Sequence, residues 1–238
     1  WRGASATRFA GSAMLEMLGE IALKINLSGV NMKYLLFATL LFTFSCSSNS
    51  DNFYLVNGKF HLFKVYTPLN WVNNIEIAHK NGIATFFHPD NLLNDQDAIS
   101  NVYIYANGFD FNSPSANFDA FVNTEISNIK KLSKDVIVEK ANYIIANTKH
   151  IKNIRSYSFI NIPNRYRDEC VYIESDKSVI AVIYSTKTKN AYNDNIKVFI
   201  NFINSFSFLS SNPAEISELI RKDKSERPNT VYSKVPKQ

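Results

Sequence analysis

The feature that most constrains this chain is a basic and apolar segment that contains a cysteine near its end, MKYLLFATLLFTFSCSSNS, from Met32 to Ser50. Lys33 precedes an apolar run from Tyr34 to Phe44, and a small residue and Cys46 follow the run. This arrangement is typical of a secretory signal peptide, which is removed and takes no part in the folded domain. The run is too short for a transmembrane helix, which needs about 20 apolar residues. A buried core helix is the alternative, although no polar face interrupts the run.

The residues around Cys46 resemble a bacterial lipoprotein signal. Ser45 directly precedes the cysteine, and serines and an asparagine follow it. Thr43 and Phe44 depart from that pattern, which prefers leucine and a small residue at these positions. The resemblance implies that the Cys46 thiol carries lipid and anchors the protein to a membrane; ordinary cleavage near Ser45 is the alternative. It also implies export to the cell envelope, and Ser47 favours the outer membrane, facing the periplasm or the cell surface.

Residues 1–31 differ in composition from the rest of the chain. They open with Trp1 and an Ala/Gly/Arg-rich stretch, whereas the remainder is rich in Asn, Ile, Lys, Phe and Tyr. We expect an upstream, non-native extension before a start at Met32; an amphipathic helix over Ala13–Leu27 is the alternative. The predicted organisation is an extension at 1–31, a signal peptide at 32–45, a tether at 46–52, a globular domain at 53–210 and a polar, largely disordered tail at 211–238 with one helical stretch at Ala214–Arg221.

Charge and cysteine content restrict the partners of the exported chain. Removing residues 1–45 takes four of 26 basic and two of 21 acidic residues, which leaves 22 and 19 and a net charge of +3. There is no block of lysine and arginine of the type that binds nucleic acid, so no nucleic-acid partner is expected. With Cys46 lipidated, Cys170 has no intrachain disulfide partner. Its apolar surroundings in the sequence predict a buried, inert thiol.

Alternating apolar residues bounded by turn residues predict strands through most of the domain. The Asn57-Gly58 pair predicts a type I′ hairpin turn between the first two strands, and Asn107–Ser113 is predicted to be a loop. Apolar residues at helical spacing predict two main helices, Pro114–Ser133, capped by Ser113, and Tyr192–Ser205. The predicted strands are Phe53–Val56, Lys59–Val65, Ile75–His79 (a strand or a short turn), Ile83–His88, Ser100–Ala106, Val136–Ala146 (broken within), Ser156–Ile162, Glu169–Glu174 and Val179–Thr186.

Runs of strands joined by short turns favour an antiparallel sheet covered by helices. The predicted fold class is therefore α+β, with an antiparallel sheet of about six to seven strands covered by two main helices. The order of elements resembles the PsbP/DcrB-like fold over Phe53–Leu209. The resemblance rests on the Pro68–Trp71 turn, a helix before a meander of strands, and a closing helix that runs into Asn204–Phe208. It implies an α/β/α sandwich, but it implies no site residues, because no catalytic motif is shared.

Catalytic and metal-binding motifs are absent from the sequence. None of the four histidines has an HExxH or other metal spacing, and no GxSxG or P-loop motif occurs, so no cofactor or metal is expected. His88, followed by Pro89-Asp90, is compatible with a general base and its orienting carboxylate, although a strand end is favoured. In Asp168-Glu169-Cys170 the carboxylates would raise the thiol pKa, which disfavours a catalytic thiolate.

Arg155, Arg165 and Arg167 cluster near a predicted turn and are the remaining binding candidates. They would suit lipid headgroups or an acidic partner; a solvated loop is the alternative. The function predicted from the sequence is a non-enzymatic binding or assembly-support module, anchored to the envelope at Cys46 and acting with an envelope protein. The alternatives are a small-molecule-binding or hydrolytic periplasmic domain assembled from distant residues, and a secreted effector or immunity-type protein without lipid on Cys46.

Overall fold

The computed structural model describes residues 53–92, 101–111, 117–227 and 232–234. Cys46, the signal segment and the tether lie outside the described residues, as do Ser113 and Pro114. The helices are Ile75–Lys80 (α1), Phe118–Leu132 (α2), Lys189–Ser205 (α3) and Pro213–Glu226 (α4). The strands are Phe53–Asn57 (β1), Leu62–Tyr66 (β2), Trp71–Asn73 (β3), Thr85–Pro89 (β4), Val102–Asp110 (β5), Ile137–Ala141 (β6), Asn153–Ile160 (β7), Arg167–Glu174 (β8), Ser178–Thr186 (β9), Ser207–Ser210 (β10) and Tyr232–Lys234 (β11).

One antiparallel sheet of seven strands organises the fold, in the order β3-β4-β5-β9-β8-β7-β6. Side chains alternate between the two faces of a strand, so each face has its own core. Phe118 and Val122 of α2 pack on one face, together with Tyr172. Phe199 of α3 packs on the opposite face, together with Tyr184. The predicted α+β class, an antiparallel sheet covered by two main helices, is confirmed; the two faces are called the α2 face and the α3 face below.

A second sheet, which the sequence pattern did not predict, shares the α3 face with helix α3. Its order is β10-β2-β1-β11, and its pairs are antiparallel except β1 with β11, which is parallel. Phe63 of β2 and Phe208 of β10 are buried in the same core cluster as Phe199. Phe206 stacks on Phe63 with ring centroids 5.4 Å apart. Phe206 and Phe208, which follow helix α3, thus return the chain to the core.

The predicted type I′ turn at Asn57-Gly58 is wrong. Asn57 pairs with Leu62, and the Gly58 N–H donates to the His61 carbonyl, so the connection has four residues. Gly58 does not have a positive φ. The Asp110 carboxylate accepts from the backbone N–H groups of Lys59 and Phe60 at 2.8 and 3.1 Å, and this long-range cap fixes a wider turn.

Two other local predictions are also wrong. Ile75–Lys80 is a helix rather than a strand or turn, because the Asn74 side chain caps its first turn and accepts from the Ile77 N–H at 3.0 Å. The chain then leaves the helix through Gly82, whose φ of +68° favours glycine. Residues 107–110 continue β5 rather than forming a loop, because they pair with β9 as far as Asp110 opposite Ser178.

The predicted tail at 211–238 contains a helix, α4, which extends beyond the helical stretch predicted at Ala214–Arg221. Asn212 caps α4 and Pro213 occupies its first turn, which suits proline. Ile216 is buried against Leu55 and Leu62 of the four-stranded sheet, so α4 has an apolar surface to cover. In addition, β11 pairs with β1. None of the helices among the described residues is long and apolar enough to cross a membrane.

Candidate functional site

Glu169 is a fully buried carboxylate on the α3 face, and its partners come from three elements. It accepts hydrogen bonds from Ser158 Oγ of β7 at 2.6 Å, Arg167 Nε at 2.5 Å and Tyr192 Oη of α3 at 2.8 Å. The Arg167 guanidinium also lies over the Tyr192 ring and donates to Ser158 Oγ. Burial, followed by the hydrogen bond to Glu169, raises the pKa of Tyr192. This network ties α3 to the sheet and leaves the carboxylate saturated.

Asp168 lies next to Glu169 in sequence but faces the opposite side of the sheet. It accepts from Arg165 Nη1 at 2.8 Å and from Ser185 Oγ of β9 at 2.6 Å. Burial raises the pKa of Asp168, although the charge of Arg165 opposes the shift. Arg165 also lies over the ring of Tyr103. The Asp168 carboxylate therefore holds the turn that precedes β8 against β9.

Cys170 is buried and has no disulfide among the described residues. Burial raises the pKa of its thiol well above the ordinary value, and the charge of Asp168 adds to the effect. A thiol in this state is protonated and a poor nucleophile. The predicted burial of Cys170 is confirmed.

His61 and Asp110, which are distant in sequence, form a histidine–carboxylate pair between the two sheets. His61 Nδ1 lies 2.8 Å from Asp110 Oδ1, so the proton sits on Nδ1 and is donated to the carboxylate. The imidazole is wedged between Gly58 and Gly108, where a Cβ on either glycine would collide with the ring. Its Nε2 is buried and has no hydrogen-bond partner in the described part of the chain. The pair locks the β1–β2 turn onto β5, and the His61 side chain is 1% exposed.

His88 lies in β4, is buried, and does not meet the neighbouring Asp90. Its Nδ1 is 2.8 Å from the Pro89 carbonyl oxygen, and its ring packs near Phe86. Its Nε2 is also buried without a partner among the described residues. His88 therefore occupies a strand end, the interpretation that the sequence favoured, and is not part of an acid–base pair.

The three arginines that the sequence singled out face three different carboxylates. Arg155 of β7 pairs with Asp119 of α2 and lies over the Phe118 ring. Arg165 and Arg167 bind Asp168 and Glu169, on opposite faces of the sheet, as described above. The structure thus uses Arg165 and Arg167 mainly as internal partners. Arg155 also borders an open cavity.

That cavity is an open cleft of about 660 Å³ at the sheet edge, called the edge cleft below. It lies where β6 ends. The β6–β7 ladder runs only from Ile137 opposite Ile160 to Ala141 opposite Ser156, whereas β7 pairs with β8 from Asn153 onward. The chain then leaves the sheet through Asn142–Ile145, which packs Tyr143 and Ile145 against the α3-face core. The lining residues include Lys140, Tyr143, Ile144, Thr148, Ile154 and Arg155.

The edge cleft combines apolar, aromatic and basic groups. The Ile144 side chain is 71% exposed, an unusual position for an isoleucine beside the core. Tyr143 packs edge-on against Phe199 at 5.1 Å, and burial, followed by the charge of Glu169, raises its pKa. The wall of the cleft is therefore connected to the Glu169 network. No group of three or more His, Cys, Asp or Glu side chains suited to a metal occurs in the described ranges.

Sequence reasoning did not predict either the His61–Asp110 pair or the edge cleft. Local spacing could have indicated the arginine–carboxylate pairs, because Arg165 and Arg167 lie three and two residues before Asp168 and Glu169. His61 and Asp110 are 49 residues apart, and only the packing of one sheet on the other brings them together. The cleft depends on where the β6–β7 ladder stops, which no residue motif marks.

No protein-family model matches the chain, and no curated protein matches it. The chain is similar in structure to cyanobacterial PsbP (CyanoP) from Synechocystis sp. PCC 6803, with 12% identity and a TM-score of 0.43, over 69% of this chain and 98% of that chain. The fold class itself rests on the strand pairing described above.

Proposed function

We propose that this protein is an exported, lipid-anchored and non-enzymatic binding or assembly-support module of the cell envelope. The signal segment and Cys46 support the anchor. The observation that carries the binding role is the edge cleft, where an isoleucine exposed at 71% lies beside a strand whose ladder stops short. Exposed apolar groups at a free sheet edge are typical of surfaces that bind another chain.

The buried ionisable groups support a structural rather than a catalytic use. Glu169 and Asp168 are each held by an arginine and at least one hydroxyl, so neither has an open proton-transfer path. The Cys170 thiol is protonated because its pKa is raised. A binding module needs such groups only to keep its surface rigid.

The anchor is tested by comparing the chain expressed from Met32 with its Cys46→Ala variant. In detergent-phase partitioning, we expect the wild type in the detergent phase, with acyl mass on a chain that starts at Cys46. The variant should stay in the aqueous phase. If both chains stay aqueous without acyl mass, the lipid anchor is wrong and a freely secreted or periplasmic protein takes its place.

The binding role is tested by site-specific photo-crosslinking in cells. A photoreactive amino acid replaces Ile144 in one chain and Leu69 in the control, since Leu69 is equally exposed, at 78%, but lies in the turn before β3. We expect a discrete adduct from position 144 that is absent from position 69. Equal labelling from both positions, or no adduct from 144, would remove the edge cleft as the binding surface.

A hydrolytic or small-molecule-binding domain is the second candidate, favoured by the His61–Asp110 pair. That function needs His61 Nε2 to open to solvent. Diethylpyrocarbonate modification, mapped by mass spectrometry on the folded chain, measures this directly. Modification of His61 as fast as that of the exposed His79 would support the second candidate, and a protected His61 would argue against it.

A further inference from the structure

The edge cleft contains a short stretch of strand with one free side. Residues Asn153–Arg155 pair with β8, but β6 has already ended at Ala141, so they have no ladder partner on the other side among the described residues. An edge strand presents N–H and C=O groups that can pair with an added strand. Three residues of extended chain span roughly 10 Å, enough for an approaching segment to form a short ladder.

The charged side chains that line the edge cleft in the described part of the chain are both basic, Lys140 and Arg155. Lys140 and Lys149 are exposed and have no ion pair within the described ranges, whereas Lys152 pairs with Asp176 and Arg155 with Asp119. Both of those pairs are partly or largely exposed to solvent, so they exchange readily with another carboxylate. An acidic partner therefore matches the potential of this edge.

We propose that the edge cleft binds an acidic segment of a partner protein in extended conformation, which pairs with Asn153–Arg155 as an added strand in line with β6. This inference rests on the proposed binding function and specifies the chemistry of its partner. The segment supplies backbone hydrogen bonds for affinity, and carboxylates for selectivity.

Side chains alternate between the two faces of β7, and this alternation specifies the sequence pattern of the bound segment. Directly opposite residues of paired strands point to the same face. Arg155 lies on the α2 face, as does Lys140 of β6. The residues of the added segment that point to the α2 face should therefore be acidic. Ile154 lies on the α3 face, beside Tyr143 in the cleft lining, so the residue opposite it should be apolar. The segment is thus expected to alternate acidic and apolar residues.

The test uses a blocked seven-residue peptide of alternating glutamate and valine, and a counterpart with lysine in place of each glutamate. Binding is measured by fluorescence anisotropy to the full-length Cys46→Ala chain. We expect saturable binding of the acidic peptide, at least tenfold weaker binding of the basic one, and weakening at higher salt. Lys140→Glu should weaken acidic-peptide binding at least tenfold. The matched control Lys222→Glu, on the exposed face of α4, should change it less than twofold.

Hydrogen exchange distinguishes an added strand from simple charge attraction. Saturating acidic peptide should slow amide exchange within residues 153–155 and leave α4 unchanged. Unchanged exchange at 153–155, or equal affinity for both peptides, overturns the inference. Two other occupants would also overturn it: Lys140-dependent sedimentation with anionic phospholipid vesicles without peptide binding, or Lys140-dependent self-association in ultracentrifugation.

The outcome is separable from that of the proposed function. If the adduct at position 144 forms in cells and the acidic peptide does not bind, the binding role stands and the acidic-strand inference fails. If neither the adduct nor the peptide binding is observed, both the binding role and the acidic-strand inference fail.

Discussion

At the scale of single residues, Asp168 and Glu169 illustrate how a strand separates neighbours. Successive side chains of β8 point to opposite faces, so two adjacent carboxylates enter two different cores. Each is neutralised by an arginine that precedes it in the chain, Arg165 and Arg167. The sequence could show that these four residues are close together. It could not show that the arginines turn inward, because that depends on Ser185, Ser158 and Tyr192 from other elements.

The hydrogen-bond network around Glu169 predicts that breaking one ion pair greatly lowers the stability of the folded protein. Glu169→Ala leaves Arg167 and two hydroxyl groups without their acceptor, and we expect it to lower the free energy of unfolding by about 3–5 kcal/mol. Tyr192→Phe removes one hydrogen bond to a charged group and should cost about 1.5–3 kcal/mol. Urea denaturation measures both, with the exposed Glu218→Ala as the control. A Glu169→Ala effect no larger than that of Glu218→Ala would contradict the network.

The surroundings of Asp110 predict that the stability of the folded protein decreases at acidic pH. Burial raises the pKa of this carboxyl, but hydrogen bonds from His61 and from two backbone N–H groups outweigh burial, so its pKa lies below the ordinary value. A depressed folded pKa adds stability that is fully present above the unfolded pKa of about 3.9 and is lost as pH falls through the folded pKa. We expect Asp110→Asn to be less stable than wild type near neutral pH, and the difference to shrink below about pH 4. Denaturation curves across this range test it; a constant difference would contradict it.

At the scale of elements, the accuracy of the predicted strands and helices depended on the strength of the local sequence pattern. The strands β7, β8 and β9 and the helix α3 were predicted within a few residues, because their apolar periodicity is long and regular. The short helix α1 was mistaken for a strand or turn, since its identity depends on the Asn74 cap rather than on periodicity. The tail helix α4 was predicted only over Ala214–Arg221, shorter than the observed Pro213–Glu226, because its apolar stripe is thin and needs the four-stranded sheet as a partner.

The packing of α4 predicts that the tail contributes to stability. Ile216 is 4% exposed and contacts a small cluster rather than the main core. We expect Ile216→Ala to lower the free energy of unfolding by about 2–3 kcal/mol, the lower part of the range for such truncations. Lys222→Ala, on the same helix but exposed, should change it by less than about 0.5 kcal/mol. Equal effects of the two substitutions in urea denaturation would mean that α4 does not pack on the sheet.

At the scale of the whole molecule, the relation between the two sheets was not predictable from the sequence. Local patterns indicated a sheet covered by helices, but the β1–β2 hairpin was expected to belong to it. Instead the hairpin joins a separate sheet on the α3 face, held by His61–Asp110 at one end and by Phe63 in the core. The edge cleft has the same origin, because it depends on where ladders of different length end.

The shared core predicts that the two sheets unfold together. Phe63 of the four-stranded sheet contacts Phe206 and belongs to the same buried cluster as Trp71 of the seven-stranded sheet. Phe63→Ala should therefore lower stability by about 3–5 kcal/mol. In a Trp1→Phe background, Trp71 is the sole tryptophan, so its fluorescence reports the large sheet while far-UV circular dichroism reports both. We expect both signals to shift to the same lower urea midpoint, as two-state unfolding requires. A circular dichroism change that precedes the Trp71 transition would show instead that the small sheet unfolds independently, and that the α3-face core is two cores rather than one.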